Sequence, residues 1–110
     1  MPPELVELQQ ALRTFASERG WEPYHTPQNL AALISSEAGE LLALFRWGQD
    51  SVVERPADVH HEVADVFLGI LRFADVAGID LVAAAHEKLA LNADRYPVDA
   101  VVGPDRVTRT

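Results

Sequence analysis

The chain has 110 residues, a formal net charge of −8, 48% hydrophobic residues and no cysteine. That length suits one small domain, and that apolar share suits a packed core rather than a disordered chain. The lack of thiols excludes disulfides, iron–sulfur clusters and thiolate zinc sites, and the negative balance argues against nucleic acid polymers and anionic membranes as partners. Anionic substrates stay open, because a divalent cation reverses the local sign of a carboxylate cluster. No uncharged apolar run approaches the roughly 18–20 residues of a membrane span. The N-terminal Met-Pro-Pro-Glu shows no basic segment followed by an apolar one, so a cytoplasmic location is expected. A domain of this size also buries a modest fraction of its surface, which favours association between copies.

The first segment, about Pro3 to Arg19, carries Leu5, Leu8, Leu12, Phe15 and Ala16 at helical spacing, with prolines tolerated at its start and Gly20 as a left-handed stop. Trp21 to Pro27 holds two prolines and three aromatic rings and reads as an ordered loop. A second helix begins near Thr26 or Pro27 and reaches Trp47, ended by Gly48; Gln49 to Pro56 is a polar connection. A third spans about Ala57 to Ala77, stopped by Gly78. A fourth starts from an Asp80 cap and runs to about Tyr96, closed by Pro97. No segment alternates like a strand. The pattern predicts an all-α domain of four-helix-bundle type over residues 1–97, followed by an extended or loosely ordered tail over residues 98–110.

The second helix carries the local anomaly. Leu30, Leu33, Ile34, Leu41 and Leu44 fall within one arc of roughly 100°, the usual width of a buried face. Glu37 lies inside that arc and Glu40 at its edge. An unpaired carboxylate there is costly, so it needs either a partner, a cation or an exit to solvent at the margin of the arc. The opposite side, Ala31, Ala32, Ser35, Ala38, Gly39 and Ala43, is built of small residues that let another helix come close.

The third helix adds Glu62 and Asp65, again neighbours on one surface. Asp58, Glu62, Asp65 and Arg72 form a polar stripe opposite Val59, Val63, Phe67, Ile70 and Ala74, which is also what a solvated face looks like. Two antiparallel helices, each with a carboxylate pair at this spacing, would gather four oxygen ligands. Oxygen-only ligands suit Mg²⁺ or Mn²⁺, and Mg²⁺ commonly bridges substrate phosphates, which points to phosphoryl chemistry. A di-iron carboxylate bundle wants Glu-x-x-His on helices. The one instance here, Glu22 to His25, is broken by Pro23.

Lys88, Asn92 and Arg95 share a face of the fourth helix. They can contact phosphate oxygens, or serve simply as basic residues complementing the helix C-terminus. Trp21, Tyr24, His25 and Trp47 can stack on a base, or seal the core. His60, His61 and His86 show no metal-binding spacing.

Taken together, Trp21-Glu22, His25-x-Pro27-x-Asn29-Leu30, Glu37-x-Gly39-Glu40-Leu41, Leu44-Phe45-x-Trp47, Glu62-x-x-Asp65-Val66 and Lys88-x-x-x-Asn92-x-x-Arg95-Tyr96-Pro97 resemble, in this order, the MazG-like all-α nucleoside triphosphate pyrophosphohydrolases, and within them the dCTP pyrophosphatase-like branch. The similarity covers about Phe15 to Pro97. It implies hydrolysis of a nucleoside triphosphate to the monophosphate and pyrophosphate in nucleotide-pool sanitation. By that resemblance Glu37, Glu40, Glu62 and Asp65 hold Mg²⁺, with Glu37 or Glu40 as catalytic base. Lys88, Asn92, Arg95 and Tyr96 serve the phosphates, and Trp21, His25, Asn29 and Trp47 surround base and sugar. It further implies a homodimer or homotetramer. The chain departs from the branch at Gly69, where a Tyr is common, at Gly48, where a basic residue is common, and in its short Gly48–Ala57 loop. Gly69 is expected to leave space in the pocket, which bears on the cytosine preference. The competing reading from another class is a non-catalytic helical interaction module with an acidic face.

Overall fold

A computed structural model describes residues 1–101. In chain order it comprises α1 (Pro3–Glu18), a 3₁₀ turn (Glu22–Tyr24), α2 (Pro27–Ala43), α3 (Ser51–Glu54), α4 (Pro56–Ala77), α5 (Leu81–Arg95) and α6 (Val98–Val101), with no strand among the described residues.

The helix boundaries follow from local chemistry. Proline occupies the first turn of α1, α2 and α4, where its missing N–H costs nothing. The Thr26 side chain accepts from the Asn29 N–H at 3.2 Å, and Asp80 accepts from the Ala83 N–H at 3.1 Å, capping α2 and α5. Gly20 (φ +67°) and Gly78 (φ +71°) turn the chain out of α1 and α4. The residues just after them donate back to Ala16 O at 2.9 Å and Ala74 O at 2.8 Å.

Gly48 plays no such part, since its φ is not positive. Instead α2 ends at Ala43, four residues before the expected Trp47, because the next turn tightens into i→i+3 bonds, with Phe45 N–H on Leu42 O at 3.0 Å and Arg46 N–H on Ala43 O at 3.2 Å. The buried Ser51 hydroxyl donates to Leu44 O, satisfying a carbonyl that the helix no longer uses. The polar connection therefore contains a helical turn of its own, α3. The start of the tail, Val98–Val101, is likewise helical rather than extended. The rest of the tail, including Gly103-Pro104, lies outside the described residues.

α4 is the central element. Against α2 it runs antiparallel: Gly69 faces Ile34, while Glu62, further back along α4, meets Glu37, further on along α2. A Cβ at Gly69 would lie 3.1 Å from Ile34 Cγ1, so the glycine permits the close approach. Against α1 the run is parallel: the buried Gln9 amide donates to Leu71 O at 3.2 Å, and one turn on Arg13 pairs with Asp75. Ala16, Leu30, Leu71 and Ala74 form the buried centre of this three-helix arrangement.

The fourth long helix, α5, contributes no buried residue within the single chain. The molecule is accordingly elongated, with extents of 53 × 35 × 26 Å. The small-residue side of α2 is also exposed within the chain, from Ala31 to Ala43, so the helix expected against it is not supplied by this chain's own bundle. Among the described residues, no helix is long and apolar enough to cross a membrane.

Candidate functional site

Glu37 and Glu40 project from α2 and Glu62 from α4, and one carboxylate oxygen from each lies within 4.8 Å of the others. Glu40 is exposed, whereas Glu37 and Glu62 are half-buried. Glu37 Oε2 and Glu62 Oε2 are buried and have no hydrogen-bond partner. When ionised, such atoms carry a desolvation penalty that only a shared proton or a cation would offset. Desolvation first, then proton sharing with Glu37 and Glu40 and their negative charge, push the Glu62 carboxyl up to about 7. Orphaned, converging, all-oxygen donors fit a hard divalent cation such as Mg²⁺ or Mn²⁺, which would turn mutual repulsion into coordination. Asp65 is one turn further along α4. It stands outside the group of three but borders the same hollow as Glu37.

That hollow is a cavity of about 160 Å³ between α1, α2 and α4. Its volume is on the order of cavities that admit a single aromatic ring. Leu30, Leu33 and Leu68 give it apolar walls, and Trp21 and Phe15 pack edge-to-face on one side with ring centroids 5.6 Å apart. Glu37 and Asp65 line it, as do His25 and Arg72, which stands two turns beyond Asp65 on α4.

His25 and Arg72 belong to a polar chain crossing three elements. Arg13 on α1 grips Asp75 with two bonds of 2.6 Å, Arg72 Nη1 reaches Asp75 at 3.4 Å, and Arg72 Nε donates to His25 Nδ1 at 3.0 Å. Burial first, and the charge of Arg72 second, lower the pKa of His25. The Arg13 hydrogen bonds, outweighing the desolvation that acts against them, lower that of Asp75. The 3₁₀ turn that carries His25 is tied to α2 by the Asn29 amide, which donates to Tyr24 O at 2.9 Å. Asn29 thus braces the loop.

The remaining sequence-predicted residues lie elsewhere in the single chain. Trp47 is almost fully exposed, at 91%, and borders a separate hollow with Leu44, Ser51 and Arg55. Lys88, Asn92, Arg95 and Tyr96 ride on or just past α5, away from the cavity lining. Arg95 stacks over the Tyr96 ring at 5.5 Å. Arg72 shares with Asp58, Glu62 and Asp65 the polar stripe whose spacing also fits a solvated face. The structure splits that stripe: of the apolar residues opposite, Val63 and Phe67 are exposed and Ala74 is buried, Asp58 and Asp65 stay exposed, and Glu62 and Arg72 turn into the α2–α4 seam. Its seven-residue spacing from Asp65, which keeps the two on one side of a helix, was the available signal.

A pyrophosphatase of known crystal structure from Archaeoglobus fulgidus superposes with a TM-score of 0.83 at 38% identity, covering 88% of this chain and 95% of that one. This chain belongs to the MazG-like all-α pyrophosphohydrolase family. The chain is also similar to proteins named dCTP pyrophosphatase 1. Human dCTP pyrophosphatase 1 is 35% identical over 103 residues, 86% of this chain and 60% of that protein. The rat protein of the same name is 33% identical over 103 residues, 87% of this chain and 61% of its own length. The chain therefore spans about three fifths of the length of these curated relatives. No family model matches the chain.

Proposed function

We propose that the chain is a Mg²⁺-dependent nucleoside triphosphate pyrophosphohydrolase, acting on dCTP or a related or modified pyrimidine deoxynucleotide and releasing the monophosphate and pyrophosphate. The observation that carries this reading is the pair of buried, unpartnered oxygens on Glu37 and Glu62, with Glu40 beside them, next to a ring-sized cavity. The names of the relatives support the nucleotide and the bond.

Glu37, Glu40 and Glu62 would hold the cation, with Asp65 completing the set. The cation would supply charge neutralisation for the triphosphate and polarisation of the α-phosphate. Glu37 or Glu40 takes the proton of the attacking water; of the two, Glu40 has the freer access to solvent. Water oxygen bonds to the α-phosphorus, the α–β bridging bond breaks, and pyrophosphate leaves. Trp21 and His25 flank the base, and the α5 residues Lys88, Asn92, Arg95 and Tyr96, with Trp47, reach phosphates and base from a neighbouring copy in a homodimer or homotetramer. The exposed apolar side chains of α4 and α5 support such assembly.

Incubation with a panel of nucleoside triphosphates and Mg²⁺, scored for pyrophosphate against orthophosphate, tests the reading. Pyrophosphate from a pyrimidine deoxynucleotide is expected. Orthophosphate alone, or no turnover of any triphosphate, overturns it, the latter leaving the acidic interaction module in its place.

A further inference from the structure

The part of the cavity lined by His25 and Arg72 has a chemical polarity that its carboxylate region lacks. Arginine can only donate, so the 3.0 Å contact from Arg72 Nε requires His25 Nδ1 to be a bare acceptor. The imidazole is then neutral with its proton on Nε2. Arg72 itself is fixed, because its Nη1 is committed to Asp75, whose carboxylate is already gripped by Arg13. Its Nη2 makes no hydrogen bond among the described residues and is free to donate. The other cavity side chains are carbon, apart from the donor-only indole of Trp21 and the carboxylates Glu37 and Asp65. Along α4, Arg72 stands about 10 Å from Asp65 at the α-helical rise per residue. A ligand whose phosphates meet the carboxylates therefore turns its far end toward two fixed donors and no acceptor.

We propose that Arg72 is a specificity-determining residue. Held by Asp75, it locks His25 as the Nε2–H tautomer, and the two together read a base edge that presents two adjacent acceptors, such as O2 and N3 of cytosine. Uracil offers O2 beside an N3–H, which would set donor against donor. A buried mismatch of that kind is what gives polar pockets their discrimination. The proposal rests on the nucleotide reading of the site but assigns a residue and a tautomer to it.

The test uses the full chain with Mg²⁺ and compares dCTP with dUTP for wild type, Arg72→Met and Arg72→Lys. Arg72→Met is expected to raise KM for dCTP by about 10- to 100-fold, the range for hydrogen bonds involving a charged group. It should do so with much less effect on kcat, and should shrink the preference for dCTP over dUTP. Arg72→Lys keeps the charge but not the planar fork and should not restore the preference. Long-range ¹H–¹⁵N spectra of the wild type should show His25 protonated at Nε2 alone, and a mixture of tautomers in either variant.

An unchanged KM and preference in a folded Arg72→Met protein overturns the proposal, as does a loss confined to kcat. Wild-type His25 protonated at Nδ1 overturns it even if no variant folds. If no triphosphate is hydrolysed, the enzymatic reading fails on its own. Titration with dCMP then decides for Arg72, weaker binding in Arg72→Met supporting the proposal and equal or no binding overturning it.

Discussion

Glu37 on α2 and Glu62 on α4 meet across the helix seam with one oxygen of each buried and unpaired. The contact opposes folding in the absence of a cation and serves binding in its presence. Glu62→Gln removes one charge from the cluster and keeps its shape. The metal-free variant should melt at a higher temperature than the metal-free wild type, while Mg²⁺ stabilises it far less. Its Mg²⁺-dependent turnover should fall by about 100-fold or more, at least the loss seen when a metal's supporting groups are removed. Calorimetry with and without Mg²⁺, alongside a pyrophosphate-release assay, reads all three.

Two carboxyls give the metal-free protein opposite pH dependences. Glu62 ordinarily titrates near 4.5 and is raised to about 7, so the folded state holds the proton more tightly. Its contribution is fully present below 4.5 and is lost as pH rises through about 7. Asp75, lowered from 3.8 chiefly by its hydrogen bonds with Arg13, contributes stability above 3.8 and loses it as pH falls through its depressed value. Urea unfolding across the acid-to-neutral range should therefore peak between these two regions without metal. Saturating Mg²⁺ should offset the loss on the neutral side. A metal-free profile still rising between pH 5 and pH 7 would contradict the burial assigned to Glu62.

Arg13 and Arg72 both bind Asp75 but stand in different solvent. The Arg13 side chain is 57% exposed and that of Arg72 only 11%. Asp75→Ala strands Arg72 and should cost about 1–3 kcal/mol. Arg13→Ala should cost less, because its ion pair is exposed and screened by water. Equal costs from denaturant curves would show that Asp75 acts through Arg13 alone.

Leu42 on α2 and Leu89 on α5 are 74% and 65% exposed. Light scattering should give a mass above the monomer's 12.1 kDa, and Leu42→Glu or Leu89→Glu should lower it. A monomeric wild type at tens of micromolar would refute the assembly.

Much of this was legible from residue order. Prolines mark where α1, α2 and α4 start, Gly20 and Gly78 mark where α1 and α4 stop, Thr26 and Asp80 cap as their types suggest, and Glu37 stands out because leucines surround it. The orientation of α4 was not legible. Its Glu62 and Arg72, with Asp58 and Asp65, look like a solvent stripe to any one-helix periodicity argument. Arg72 is held inward by the imidazole of His25 and by Asp75, itself gripped by a guanidinium 62 positions away on α1. Such pairings cancel the burial penalty only after the chain has folded, so no local window contains them. The early end of α2 was hidden for a similar reason. It depends on the Ser51 hydroxyl returning to Leu44 O from the next segment.

α5 has fifteen residues and not one of them buried, a length at which an isolated helix is marginal in water. Its backbone amides should then be among the first to trade hydrogen for deuterium, and the rate would gauge how fully Leu89 and Leu91 are covered at a given protein concentration. Dilution would loosen α5 while leaving the α1–α2–α4 core protected, which makes the helix a built-in reporter of how crowded the chain finds itself.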